Sequence, residues 1–136
     1  TVSGLSGGGG CLRFTDLKVV LVEGGGGWLA YALENLDWQW KNCGVALENP
    51  EYDLLPSEYF KRQIYGCFWF EDKSARLAVE AIGADNFLYE TDFPHPTCLY
   101  PKVKEQVANV LGQLSPRVRR KVLHDTAVRV YNLPVD

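Results

Sequence analysis

The sequence predicts an α/β fold built on parallel strands, and three observations carry that reading. Residues 17–23 (Leu-Lys-Val-Val-Leu-Val-Glu) form an almost unbroken, β-branched apolar run, the pattern of a strand buried on both faces. Two further apolar runs follow at 64–70 and 86–91. Each run is succeeded by an amphipathic helical stretch, and this alternation implies a parallel sheet with crossover helices.

The elements follow in order. Four glycines at 24–27 break the first run. Leu29, Leu33, Leu36, Trp40 and Cys43 then recur at steps of four and three, with Glu34, Asp37, Lys41 and Asn42 off the stripe; this is one apolar face of a helix, and Gly44 is its stop. Residues 45–56 read as loop, broken by Asn49-Pro50 and Pro56. Ser57 reads as the cap of a short helical turn that packs Phe60. The second strand, 64–70, is rich in aromatics. Asp72 reads as the N-cap of a helix with Ala75, Ala78, Val79 and Ile82 on its inner face and Gly83 as its stop. After the third strand, Asp92-Phe93-Pro94-His95-Pro96 must be a loop, because its two prolines fit no regular element. Val103, Val107, Val110, Leu111 and Leu114 mark another amphipathic helix. Ser115-Pro116 is a cap followed by proline at the first helical position. The last helical stretch runs to about Tyr131, with a break near Asp125.

Composition bounds the function. The chain has 136 residues, 46% hydrophobic and 23% charged, an ordinary globular balance. It is too short for a complete (β/α)8 barrel of about 250 residues. A net charge of −3 and a pI near 5.4 argue against nucleic-acid binding. No apolar stretch reaches the roughly 20 residues of a membrane span, and no leader pattern is present. The sequence starts at Thr1 and has no methionine, so a processed piece, a fragment or an incompletely recorded chain is expected. Cys11, Cys43, Cys67 and Cys98 form no C-x-x-C pair. They read as buried thiols in a reducing, cytoplasmic setting. The glycines at 7–10 carry no evident chemistry and read as loop.

In parallel α/β folds the functional groups stand where strands end. The first strand ends in Glu23, the second in Glu71-Asp72, and the third in Glu90-Thr91-Asp92 with His95 just beyond. Carboxylates with a histidine suit a divalent metal or acid–base work. Asp92, at a strand end before a proline-locked loop, reads as functional; Glu71 and Glu90 read equally as solvated charges. Gly25, Gly27 and Ala30 fit a G-x-G-x-x-A dinucleotide fingerprint, with Glu48 about 20 residues on for the ribose. Against it stand Glu23 beside the pyrophosphate position and a second strand limited to residues 45–47. The basic residues Arg117, Arg119, Arg120 and Lys121 read as a solvated face. His124 reads as a helix-terminus group, and Trp28, Trp38, Trp40 and Trp69 as core or interface aromatics.

Four segments carry a family resemblance. Residues 14–25 (Phe-Thr-Asp-Leu-Lys-Val-Val-Leu-Val-Glu-Gly-Gly) resemble the sixth strand of the amidohydrolase-related family (amidohydrolase family 2), which comprises metal-dependent hydrolases and decarboxylases. Residues 28–37 resemble the helix that follows. Residues 83–95 (Gly-Ala-Asp-Asn-Phe-Leu-Tyr-Glu-Thr-Asp-Phe-Pro-His) resemble its eighth strand and are the most specific match. The ending, through Tyr131-Asn132-Leu133, resembles its final helices.

The resemblance implies one partial domain, residues 1–136, forming the C-terminal part (about three βα units) of a TIM-type (β/α)8 barrel. It implies Asp92 as metal ligand and proton carrier, Glu23 as second acid–base group in a place where the family often has His, and His95 as substrate contact. The implied cofactor is a divalent metal, with zinc expected, and the implied substrate is a small carboxylated, cyclic or aromatic molecule. The family's first-strand metal motif and fifth-strand His have no counterpart, since the only histidines are His95 and His124. The chain alone is therefore expected to be inactive, its partner being a missing N-terminal barrel half or further copies of itself. A non-catalytic interaction or oligomerisation module remains an alternative.

Overall fold

Three parallel strands lie side by side in the order of the sequence: β1 (Val19–Leu21), β2 (Ile64–Phe68) and β3 (Phe87–Tyr89). This is the arrangement in the computed structural model, which describes residues 9–135. Val19 pairs with Ile64 and Leu21 with Gly66; Gly66 in turn pairs with Phe87 and Phe68 with Tyr89. The central strand is buried along its whole length, as its unbroken apolar run requires.

Side chains alternate across a strand, so the sheet has two apolar faces. Ile64, Phe68 and Phe87 join the main core with Leu29, Leu33, Ala75, Val79, Val110 and Leu111. Tyr65, Cys67 and Leu88 form a second cluster, against which Val20, Ala127 and Val130 pack.

Eight α-helices surround the sheet among the described residues: α1 (Gly10–Arg13), α2 (Leu29–Asn42), α3 (Val45–Glu48), α4 (Pro56–Gln63), α5 (Ser74–Ile82), α6 (Val103–Leu111), α7 (Pro116–Arg120) and α8 (Thr126–Tyr131). The α2 stripe is buried at Leu29 and Leu33 and half-buried at Leu36 and Trp40, while Cys43, expected on it, is exposed at the helix end; Gly44 beyond it has φ +72°, the left-handed conformation that ends helices. Ser115 caps α7 by accepting the Val118 N–H at 3.3 Å, with Pro116 first in the helix. The expected break near Asp125 is a π turn over Lys121–Asp125.

Several local expectations are corrected. The strands are shorter than their apolar runs, because Glu23 turns left-handed (φ +57°) and Asn86 sits in a 3-10 turn, Ala84–Asn86. Asn86 instead donates its amide to the carbonyls of Phe60, Lys61 and Ile64. Residues 45–48 form α3 rather than loop. Ser57 lies inside α4 and binds Asp37 through its N–H and hydroxyl, at 2.9 and 2.6 Å, while Glu58 closes the helix start on the Leu55 N–H. Asp72 does not cap α5; Lys73 precedes that helix, and Asp72 accepts from Gln106 at 2.9 Å. Of the glycines at 7–10, Gly7 and Gly8 lie outside the described residues and Gly10 opens α1. All four cysteines are free thiols. Cys11 and Cys67 are buried as expected, Cys98 is half-buried and Cys43 is exposed. Trp69 is buried, whereas Trp28 and Trp38 are exposed. No helix among the described residues is long and apolar enough to cross a membrane.

Candidate active site at the strand ends

Each sheet edge carries one acidic residue in a left-handed conformation. Glu23 (φ +57°) follows β1 and Asp92 (φ +58°) follows β3. Non-glycine residues rarely adopt this region, which costs of order 1–3 kcal/mol and concentrates at functional sites. Both residues line one pocket beyond the ends of β1 and β3.

His95 joins them from the proline loop. Its N–H donates to the Asp92 carbonyl at 2.9 Å, folding the loop back on itself. Nδ1 then lies 2.8 Å from Asp92 Oδ1 and 3.3 Å from Glu23 Oε1. Two carboxylate oxygens facing Nδ1 assign the proton to that nitrogen. Thr97 donates its hydroxyl to the other Asp92 oxygen, Oδ2, at 2.6 Å. The Asp92 side chain is thereby almost covered, at 3% exposure, while those of His95 and Glu23 stay half open. A pocket of about 320 Å3, lined by Glu23, Glu90, Asp92 and His95 among others, opens over the group.

The electrostatics follow from these contacts. The Thr97 hydroxyl, and after it His95, hold the Asp92 carboxyl below its ordinary range against the opposing effect of burial. The hydrogen bond and charge of Asp92, then the charge of Glu23, push the His95 imidazole up. Burial pushes Glu90 up, with the charges of Asp92, Glu23 and Glu71 adding to the shift and the Glu23 N–H opposing it.

Three sequence-predicted residues, Glu23, Asp92 and His95, therefore converge. Their donor atoms lie within 4.8 Å of one another. Two carboxylates and an imidazole are a sound donor set for a divalent cation. Ligands about 2.1 Å from a shared ion lie about 3.4 Å apart in a tetrahedron, and His95 Nδ1 lies 2.8 and 3.3 Å from the two carboxylates.

Glu71 and Glu90, for which the sequence leaves a rim role and a solvated charge both open, have backbone partners. Glu90 Oε1 accepts the Glu23 N–H at 3.0 Å and pins that turn. Glu71 accepts the N–H groups of Gly26 (3.0 and 3.1 Å) and Gly27 (2.7 Å). Thr97, by contrast, carried no signal in the sequence, because only the folded loop brings it to Asp92.

The same Glu71 contacts remove the basis of the dinucleotide reading. The N–H donors that a pyrophosphate would need at the glycine turn are taken by a carboxylate of the chain itself. Gly25, Gly27 and Ala30 stand at the start of a helix as that reading requires, but Glu48 ends the short helix α3 instead of following a second strand.

In TIM-type barrels the functional groups stand at the C-terminal ends of the strands, and Glu23, Asp92 and His95 stand there in this chain. The chain belongs to the amidohydrolase family, whose model, described as amidohydrolase, matches residues 11–133. Similar solved structures agree on the fold. A 5-carboxyvanillate decarboxylase from Sphingomonas paucimobilis is 22% identical with a TM-score of 0.77, over 96% of this chain and 38% of its own. An amidohydrolase from Mycobacterium avium subsp. paratuberculosis K-10 is 25% identical with a TM-score of 0.73, over 95% and 32%. A dihydroxybenzoic acid decarboxylase from Polaromonas sp. JS666, with bound manganese and the inhibitor 2-nitroresorcinol, is 23% identical with a TM-score of 0.74, over 99% and 40%. The chain thus spans about two fifths or less of the length of these proteins. Comparison with functionally curated proteins yields no match.

Proposed function

We propose that this chain forms the acid–base and metal-binding rim of an amidohydrolase-type enzyme acting on a small aromatic carboxylic acid, with decarboxylation favoured over hydrolysis. The observation that carries the reading is the convergence of Glu23, Asp92 and His95 within 4.8 Å at the strand ends. The decarboxylases among the similar structures support the choice of reaction.

Asp92, Glu23 and His95 would hold the metal, with Asp92, the most covered of the three, as the principal ligand. Bound there, a divalent ion supplies Lewis-acid polarisation of a substrate oxygen. Zinc fits the imidazole; manganese fits the two carboxylates and accompanies one of the similar structures. Without an ion, His95 holds its Nδ1 proton between Asp92 and Glu23; binding an ion through that nitrogen would release the proton. In decarboxylation the ring carbon gains a proton as its bond to the carboxyl carbon breaks and carbon dioxide leaves. Glu23, half exposed, is placed to deliver that proton from its free carboxyl oxygen, and His95 to contact the substrate.

Three donors leave the coordination set incomplete, and β1 and β3 each have a single strand neighbour among the described residues. The remaining barrel, from a preceding segment or another chain, completes the site, and the chain alone has no turnover. Its free thiols accord with a cytoplasmic setting.

Manganese(II) titration followed by electron paramagnetic resonance tests the site, with zinc as competitor. Asp92→Asn is expected to weaken manganese binding by about tenfold or more. Equal affinity in the variant refutes the assignment. Carbon dioxide release from 2,6-dihydroxybenzoate by the manganese-loaded chain alone refutes the incompleteness.

A further inference from the structure

Beside the candidate site lies a second cleft of about 570 Å3, lined by Glu23, Trp28, Trp69, Phe70, Glu71 and Ser74 together with the glycine turn. Its size falls within the roughly 300–1,000 Å3 of small-molecule sites. Glu23 lines both cavities, so the cleft borders the candidate site.

The cleft has fixed aromatic walls. The Trp28 indole N–H donates to the carbonyls of Gly24 and Gly25, at 2.9 and 3.1 Å, which locks the ring over the turn. Trp69 is buried behind and meets Phe70 edge-on, with centroids 4.8 Å apart. Phe70 and Trp28 remain 57% and 46% exposed, so neither is used up by the core. Such faces suit a planar ring.

The polar groups are of one kind. The cleft holds two carboxylates, Glu23 and Glu71, and the Ser74 hydroxyl, with no cationic side chain in the lining. An acid entering here meets two like charges. An amine or hydroxyl meets the Glu23 carboxylate as acceptor, the Glu71 oxygens being engaged by Gly26, Gly27 and Ser74, and an amine meets aromatic faces that attract positive charge.

We propose that the cleft walled by Trp28, Trp69 and Phe70 is the subsite for the far edge of an aromatic substrate, seating a ring amine or hydroxyl and excluding a second acid group. This rests on the aromatic-acid reading for the ring and adds a rule of selection: monoacids with a donor at the far edge bind, diacids do not.

The test uses simple probes without added metal. The indole N–H signals of Trp28 and Trp69 in the 15N-labelled chain are titrated with 4-aminophenol and, separately, with benzoate. 4-Aminophenol is expected to shift both signals saturably, at a concentration about tenfold or more below that for benzoate. Phe70→Ala, at an exposed position, is expected to weaken 4-aminophenol about threefold to tenfold. Glu71→Gln is expected to narrow the gap between the probes. Equal response to both probes, or an unchanged 4-aminophenol titration in folded Phe70→Ala, overturns the proposal. Loss of manganese binding with the 4-aminophenol response intact refutes the metal site alone; the reverse result refutes the cleft alone.

Discussion

Glu71 is the residue whose removal should tell most about how the rim is held. Its carboxylate accepts three contacts from two backbone donors, Gly26 N–H at 3.0 and 3.1 Å and Gly27 N–H at 2.7 Å. Those donors lie just ahead of α2, where the helix dipole also favours negative charge. In Glu71→Ala both lose their acceptor. A hydrogen bond to a charged group contributes about 1.5–3 kcal/mol. Gly26 is buried and Gly27 half-buried, so water re-solvates part of the second, and the net cost is about 2–4 kcal/mol. With a urea dependence of about 2 kcal/mol per molar, the midpoint should fall by about 1–2 M. Glu71→Gln keeps one acceptor oxygen and should lose about half as much. Equilibrium urea unfolding followed by circular dichroism measures both. A drop below about 0.25 M for the alanine variant, or equal drops for the two variants, refutes the claim that the carboxylate organises the turn.

Two other outcomes are expected. Asn86→Leu strips three carbonyls of a buried donor (3.3, 2.9 and 2.8 Å) and should cost about 2–4 kcal/mol by the same unfolding measurement. Burial, and after it the charge of Glu90, pushes the Cys67 thiol from 9.0 to about 12. The unfolded thiol ionises first, so the stability this group confers is complete below pH 9 and is lost as pH rises towards 12. The urea midpoint should fall across that window in the parent chain and fall less steeply in Cys67→Ala.

Much of this was legible along the chain. The buried strand Ile64–Phe68 stands out within the unbroken apolar run at 64–70, and α2 stands out by its four-three spacing. The carboxylates at strand ends followed from one rule about parallel sheets. The supporting residues were not legible. Asp72 and Ser57 look like caps because polar residues before helices usually are, yet Gln106 and Asp37 offered them better partners from elsewhere in the chain. Glu71 looks solvated because nothing local shows that two backbone N–H groups some 45 residues earlier need an acceptor.

The sequence alone determined the alternation of strands and helices, the order of the strand-end acids and the family, because local periodicity and motif residues are properties of the chain itself. Only the tertiary structure decided what those acids do. Left-handed turns at Glu23 and Asp92 bring them onto one histidine, while Glu71 is spent on the glycine turn that a dinucleotide would have needed. The physical reason is that a carboxylate's role is set by the donors and charges within about 3–4 Å of it, and those neighbours come from segments far apart in sequence.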